Sequence, residues 1–235
     1  MSGGGHSGGG HIGVHPHWNI GPFVVNADTM IMTWITMAVI LFIGFLAART
    51  VTKQRVPSGA QNFLEMVFEN LGAQFEQTLG AKASRFAPLL LTLFLFLLVG
   101  NWIGLIPKFS SPTNDLNTTL GMALMIMIIV HLSGIIDKGA VKYFKHFLEP
   151  NPIFLIIHMV EEVAKPTTLA FRLFGNILAG EILIIILVAL VPIWMPLPNV
   201  IWLAFSVFVG VIQAFIFTML SMSYISNAVQ DEHHD

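Results

Sequence analysis

From Ile153 to Val191 the chain is apolar except for a few groups able to do chemistry: His158, Glu161, Glu162, Lys165, Arg172, Asn176 and Glu181. The run is about twice the ~20 residues that a helix needs to cross a bilayer. A charge at the bilayer centre costs roughly 2.5–3.5 kcal/mol even on the lenient insertion scale. Charges kept there line an ion path or are covered by other protein. At 100° per residue, Asn176 lies about 40° from Arg172, and Lys165 and Glu161 about 20° from it on the same helix face. Glu181 falls ~13.5 Å further along the axis and on the opposite side. A guanidinium keeps its proton in proteins, so Arg172 can bar cations and attract an anion but cannot relay. Desolvated carboxyl groups can exchange a proton near neutral pH, and Glu161, Glu162 and Glu181 are the candidates. Two acidic routes on either side of a fixed cation do not conduct straight through; they need a moving carrier between them.

On the final apolar run, Ser206 and Gln213 are seven residues apart and share a face that can turn toward the arginine helix. Structural roles stand beside these functional ones. His131 and His158 serve equally as hydrogen-bonding groups between helices, and Ser206 and Asn101 as residues that let helices approach. Glu161 and Lys165 have the i, i+4 spacing of an ion pair, and Arg172 has the alternative of a buried pair with Glu161 or Glu162.

The elements that must position these groups are helices in a membrane. The 235 residues are 55% hydrophobic and 10% charged, with mean hydropathy +0.77, whereas soluble domains carry about 25% charged residues. The apolar runs are long and continuous rather than the ~10-residue alternating segments of an outer-membrane barrel. Spans are expected at 30–48, 86–106, 116–136, 153–191 and 200–229, with Asn101 near the end of the second and His131 in the third. Between Gln61 and Leu79, Phe63, Val67, Leu71, Phe75 and Leu79 recur at i, i+4 intervals opposite Glu65, Glu69 and Glu76, the pattern of an amphipathic helix on the membrane surface or against a partner helix; a linker helix without specific contacts is the plainer alternative. The expected fold is thus an all-α integral membrane protein of five transmembrane helices plus one amphipathic surface helix. Residues 1–29 read as a flexible Gly/His-rich tail, in which His6, His11, His15 and His17 have no spacing that fixes a metal geometry. With no cysteine there is no disulfide or thiolate site, and no cofactor is expected; the net charge of −2 says nothing about nucleic acid, but without a basic cluster for phosphates no nucleic-acid partner is expected. The N-terminus lacks a basic stretch, so no cleaved signal peptide is expected. Segments after the first and third spans hold Arg49, Lys53, Arg55, Lys82, Arg85, Lys138, Lys142 and Lys145, those after the second and fourth only Lys108. The positive-inside rule then places the N-terminus outside and the C-terminus in the cytoplasm.

Arg172-Leu-Phe-Gly-Asn176, Ala179-Gly180-Glu181 and Gln213-Ala-Phe-Ile-Phe217 together resemble subunit a of the rotary F-type ATP synthase, and the likeness extends from about Met30 onward. The resemblance implies a non-catalytic stator in a bacterial inner membrane, with the last two helices forming a long tilted hairpin beside a ring of c subunits and with peripheral stalk b subunits as further partners. It implies that Arg172 is the essential arginine, that Asn176 and Gln213 are the polar residues around it, and that Glu181 is the acid of the outer half-channel. H+, or alternatively Na+, would pass to and from a ring carboxylate. Two positions depart from the family pattern. Ser206 stands where some members have histidine, and Gly104 where some have an acid, so Asn101 and His131 are candidate substitutes on the route to Glu181. A stand-alone secondary transporter calls for repeat halves with matching broken helices, which five unequal spans do not provide. An intramembrane hydrolase calls for a nucleophile with its base or an H-E-x-x-H motif, and His158-Met-Val-Glu161 lacks the second histidine.

Overall fold

The structure, a computed structural model, describes residues 17–20, 23–50, 60–106, 109, 111–146, 154–190 and 197–230. His6, His11, His15, Lys53, Arg55, Lys108, Pro192, Pro196 and the acidic tail lie outside the described residues, as do the side chains of His17, Arg49 and Glu181. The apolar runs form α1 (Ala27–Thr50), α2 (Ala60–Leu79), α3 (Ala83–Ile103), α4 (Leu116–Lys138), α6 (Phe154–Leu190) and α7 (Leu197–Val229), with a short α5 (Ala140–His146) between α4 and α6. Among the described residues, five stretches are long and apolar enough to cross a membrane.

Two local features differ from the sequence expectation. His17–Ile20 (β1) and Phe23–Asn26 (β2), assigned by composition to the tail, pair as a short antiparallel ladder with His17 opposite Asn26. The Phe-Val-Val-Asn run favours extended backbone despite the glycine-rich sequence before it. The loop after the third span contains α5 because Gly139, at φ 80°, ends α4 and its carbonyl accepts the Tyr143 amide at 3.0 Å, restarting the helix at once.

The core lies where α2, α3, α4, α6 and α7 meet, around Phe75, Leu90, Leu97, Ile126, Leu173, Phe217 and Ile225. α2 buries Leu71, Phe75 and Leu79 and leaves Glu69 and Glu76 exposed, so its apolar stripe serves packing on α3 and α7 rather than a contact-free linker. α3 and α7 approach closely at Gly210, where a Cβ would sit 3.3 Å from that of Asn101. α6 continues through Pro166 for 37 residues. At 1.5 Å per residue that is about 55 Å, well beyond a ~30 Å hydrocarbon core, so α6 must tilt or project.

The helices alternate in direction, which gives the molecule two polar ends. At one, the Asp115 carboxylate caps α4 by accepting the Asn117 amide at 2.9 Å and also accepts from Asn26 at 2.6 Å and Thr29 at 3.2 Å, tying in the start of α1. At the other, Asp137 pairs with Lys82 at 3.0 Å and Arg85 at 2.9 Å, Lys82 donates to the Val229 carbonyl at 2.6 Å, and Ser226 donates to the Thr78 carbonyl at 3.0 Å. These bonds staple the end of α7 to the α2–α3 corner and to the end of α4.

Candidate functional site

Along α6 the candidate residues separate into three levels: a polar cavity near Gly180, Arg172 at the middle, and a cluster of acidic and basic groups around Glu162.

A cavity of about 460 Å3 is lined by Asn101, Gly104 and Ser111 from the α3–α4 corner, Asn176 and Gly180 from α6, and Trp202, Ser206 and Gln213 from α7. At ~30 Å3 per water it has room for several. Four candidates, Asn101, Asn176, Ser206 and Gln213, therefore share one space. Asn101 is buried and held on both sides: its amide donates to the Gly210 carbonyl at 3.1 Å and its oxygen accepts from Thr113 at 2.8 Å. Ser111 extends the chain of bonds, pairing with the Thr113 hydroxyl and donating to the Gly100 carbonyl at 2.9 Å. The Ser206 hydroxyl is buried without a hydrogen-bond partner, as expected of a group that bonds to water in the cavity it lines. The Trp202 indole donates to the Gly180 carbonyl at 3.4 Å, which sets the start of α7 against α6 immediately before Glu181. Ser206, one turn further along α7, faces this same space. Gly104 has a steric cause: a Cβ there would lie 2.9 Å from the Ser111 amide nitrogen, so this corner has no room for a larger side chain.

Arg172 lies eighteen residues from each end of α6, on the exposed surface of the chain, as does Asn176 one turn on. Among the described residues it enters no ion pair and no hydrogen bond. The buried pair with Glu161 or Glu162 does not form, because Lys165 takes both carboxylates. Lys165 Nζ is 3.1 Å from Glu161 and 2.8 Å from Glu162, and it sits 5.8 Å from the Tyr224 ring centroid. Pro166, lacking an N–H, removes the helical donor of the Glu162 carbonyl at this same level.

His131 belongs to the Glu162 end. Its Nε2 is 3.3 Å from Glu162 Oε2 and its Nδ1 is 2.7 Å from the Tyr143 hydroxyl. Glu162 is nineteen residues from Glu181, about 28 Å along the helix, so the structure does not bring His131 to Glu181. Of the two substitutes considered for that route, Asn101 reaches the cavity and His131 does not. Sequence reasoning missed Tyr143. Burial, and after it the negative charge of Glu162, pushes its phenol up to about 12, so it is a neutral hydroxyl at physiological pH. The available signal was Gly134, where any Cβ would collide with the Tyr143 ring, but a collision between residues of different helices is invisible in one sequence.

The order along α6 of a polar cavity, an exposed arginine and an acid–imidazole cluster fits the family suggested by the sequence motifs, and comparison with known proteins decides it. Residues 30–226 match the ATP synthase A chain family. The chain belongs to that family. It is 42% identical over 226 residues to an "ATP synthase subunit a" of Desulforamulus reducens, an alignment covering 93% of this chain and 86% of the relative. It is 39% identical over 235 residues to an "ATP synthase subunit a" of Gloeobacter violaceus, covering 95% and 93%. Membership of the ATP synthase A chain family agrees with the five membrane-length stretches and makes this a multi-pass membrane protein of ATP synthesis and ion transport.

Proposed function

We propose that this chain is the ion-conducting stator subunit of an F-type ATP synthase. In this reading it carries H+ (alternatively Na+) through two offset half-channels to and from a carboxylate on each subunit of a rotating c ring, while the ATP chemistry resides on other subunits. The observation that carries the proposal is Arg172, exposed and without a partner among the described residues, at the midpoint of a membrane-length helix. Facing hydrocarbon it would cost roughly 2.5–3.5 kcal/mol; facing a ring carboxylate it is neutralised and performs a task. It draws the carboxyl group into its ionised form as it passes and bars the ion from slipping straight across. The cavity at Asn101, Asn176, Ser206 and Gln213 supplies water to the outer side, with Glu181 as the acid that receives the ion there. Glu161 and Glu162 serve the inner side. Loop charges support an N-terminus outside and a C-terminus in the cytoplasm of a bacterial inner membrane, and the exposed acidic face of α2 is available to the peripheral stalk b subunits.

A cross-link tests this assignment. Gly175 lies on the exposed surface beside Arg172, with open space where a Cβ would go, and the chain has no cysteine of its own. Gly175→Cys should form a disulfide with a cysteine placed one turn from the ring carboxylate. No cross-link from Gly175→Cys, with efficient cross-linking from exposed Leu132→Cys on α4 instead, contradicts the proposed face.

A further inference from the structure

The Glu162 end holds a connected set of groups from three helices: Tyr143 on α5, His131 on α4, and Glu162 with Lys165 on α6. We propose that His131 is the proton carrier of the inner half-channel, exchanging protons with Glu162, and that Tyr143 is the residue that positions its ring. The inference rests on the stator reading and assigns two residues that reading does not use.

Geometry supports it at each atom. Glu162 is held from one side only: its Oε1 is 2.8 Å from Lys165 Nζ, while its Oε2 is buried without a hydrogen-bond partner and faces His131 Nε2 at 3.3 Å. That separation is slightly long for a formed bond and suits a transfer pair that closes when a proton arrives. The opposite ring nitrogen is fixed by the Tyr143 hydroxyl at 2.7 Å, with the two rings edge to face at 6.1 Å. Tyr143 can lie there only because residue 134, one turn from His131, is glycine. The His131 side chain keeps 37% of its surface accessible, so the ring is not enclosed by this chain, while Nε2 meets the carboxylate. Among the described residues, further charged or titratable groups at this level include Glu161, Lys165 and His158 on α6 and Tyr224 on α7. Glu161 and Glu162 both contact Lys165 Nζ, at 3.1 and 2.8 Å.

The proton is accounted for at every stage. A proton leaving the ring carboxylate arrives on Glu162 as the carboxylic acid. It passes from Oε2 to Nε2 of the His131 tautomer that carries its hydrogen on Nδ1 and donates it to the Tyr143 oxygen. The products are a carboxylate and an imidazolium; as the pair separates, the imidazolium gives its Nε2 proton to water, which restores the neutral tautomer with hydrogen on Nδ1. Imidazole suits this role because its charge changes between pH 5 and 8. Tyr143, buried and neutral, keeps Nδ1 occupied so that Nε2 is the nitrogen presented to Glu162.

The test is ATP-driven pumping by the assembled complex in membrane vesicles, read as membrane potential, which a permeant neutral base does not dissipate. His131→Gln keeps a hydrogen-bonding side chain that cannot titrate, and pumping should fall at least about tenfold with its dependence between pH 6 and 8 flattened. His131→Ala should fall similarly and recover in part when tens of millimolar imidazole is added, because the ring position is part-exposed on this chain; the parent should gain nothing. Tyr143→Phe should lose several-fold and shift the pH profile while its complex assembles normally. A His131→Gln profile that superimposes on the parent after correction for assembled complex overturns the proposal, as does His131→Ala that imidazole leaves unchanged, or pumping that requires sodium. If His131→Gln fails to assemble, Tyr143→Phe and the imidazole response of His131→Ala decide. Arg172→Ala in the same vesicles separates the two readings: coupled pumping there defeats the stator assignment, whereas its loss alongside parent-like His131 variants defeats only this inference.

Discussion

Gly104→Ala should damage the cavity lined by Asn101, Ser111 and Ser206 through one methyl group. Gly104 has φ −65° and ψ −12°, a conformation open to any residue, so the cost of substitution is purely steric. The added Cβ would lie 2.9 Å from the Ser111 amide nitrogen and 3.0 Å from its Cα. Both atoms belong to backbone, so the α3–α4 corner must move rather than a side chain turn aside. Overpacking of this kind costs about 1–3 kcal/mol. At roughly 2–4 °C per kcal/mol for a chain of this length, thermal inactivation of pumping should begin about 2–12 °C lower. Because Ser111 and Asn101 line the cavity through one hydrogen-bonded network, pumping at permissive temperature should fall as well. Gly121→Ala is the matched control: it lies in α4 with nothing within 4 Å of the added carbon and should be neutral or gain about 0.5–1 kcal/mol from reduced backbone freedom. Gly104→Ala that inactivates at the same temperature as Gly121→Ala, with full pumping, refutes this account of the corner.

Two further outcomes concern orientation and the outer acid. Asn117→Cys, exposed near the start of α4, should be labelled by a membrane-impermeant thiol reagent from outside intact cells, and Val141→Cys, 85% exposed on α5, only after the cytoplasmic face is opened; the reverse pattern inverts the topology. Ser111 is unsuitable as a reporter because it is buried and doubly bonded. Glu181→Gln should cut coupled pumping severely without opening a leak, Ser206→Ala should do less harm, and Glu181→Ser with Ser206→Glu should recover part of the loss; parent-like pumping by Glu181→Gln moves the relay elsewhere.

What could be read in the sequence was whatever depends on neighbours along the chain. Helix α6 was legible because nearly forty consecutive residues are apolar, and the stripe of α2 because its apolar residues recur at i, i+4. The pairing of Lys165 with Glu161 follows from spacing on one helix. Contacts across the fold left no such trace. Asp115 meets Asn26 over 89 residues and Lys82 meets the Val229 carbonyl over 147, and the chemistry of each partner alone is compatible with an ordinary loop or helix end. His131 was ambiguous for the same reason. Its depth in α4 was readable, but whether it faced Glu162 or Glu181 depends on the antiparallel sense in which α4 packs on α6. Ser206 and Gly104 looked like losses against the family pattern. The structure gives each a local cause: a hydroxyl left for water in a cavity, and a corner too tight for any side chain.

The most direct measurement of the central claim is ion movement in vesicles carrying Arg172→Ala. Each charge that crosses the membrane is worth ~2.3 kcal/mol per 100 mV, all of it lost when ions slip past the stator. With assembly confirmed, ATP-driven pumping should vanish while passive proton conductance equals or exceeds that of the parent. Arg172→Lys should rescue little, since a lysine is readily neutralised when buried. Coupled pumping at the parent rate by Arg172→Ala would contradict the role of this residue and with it the two-channel account.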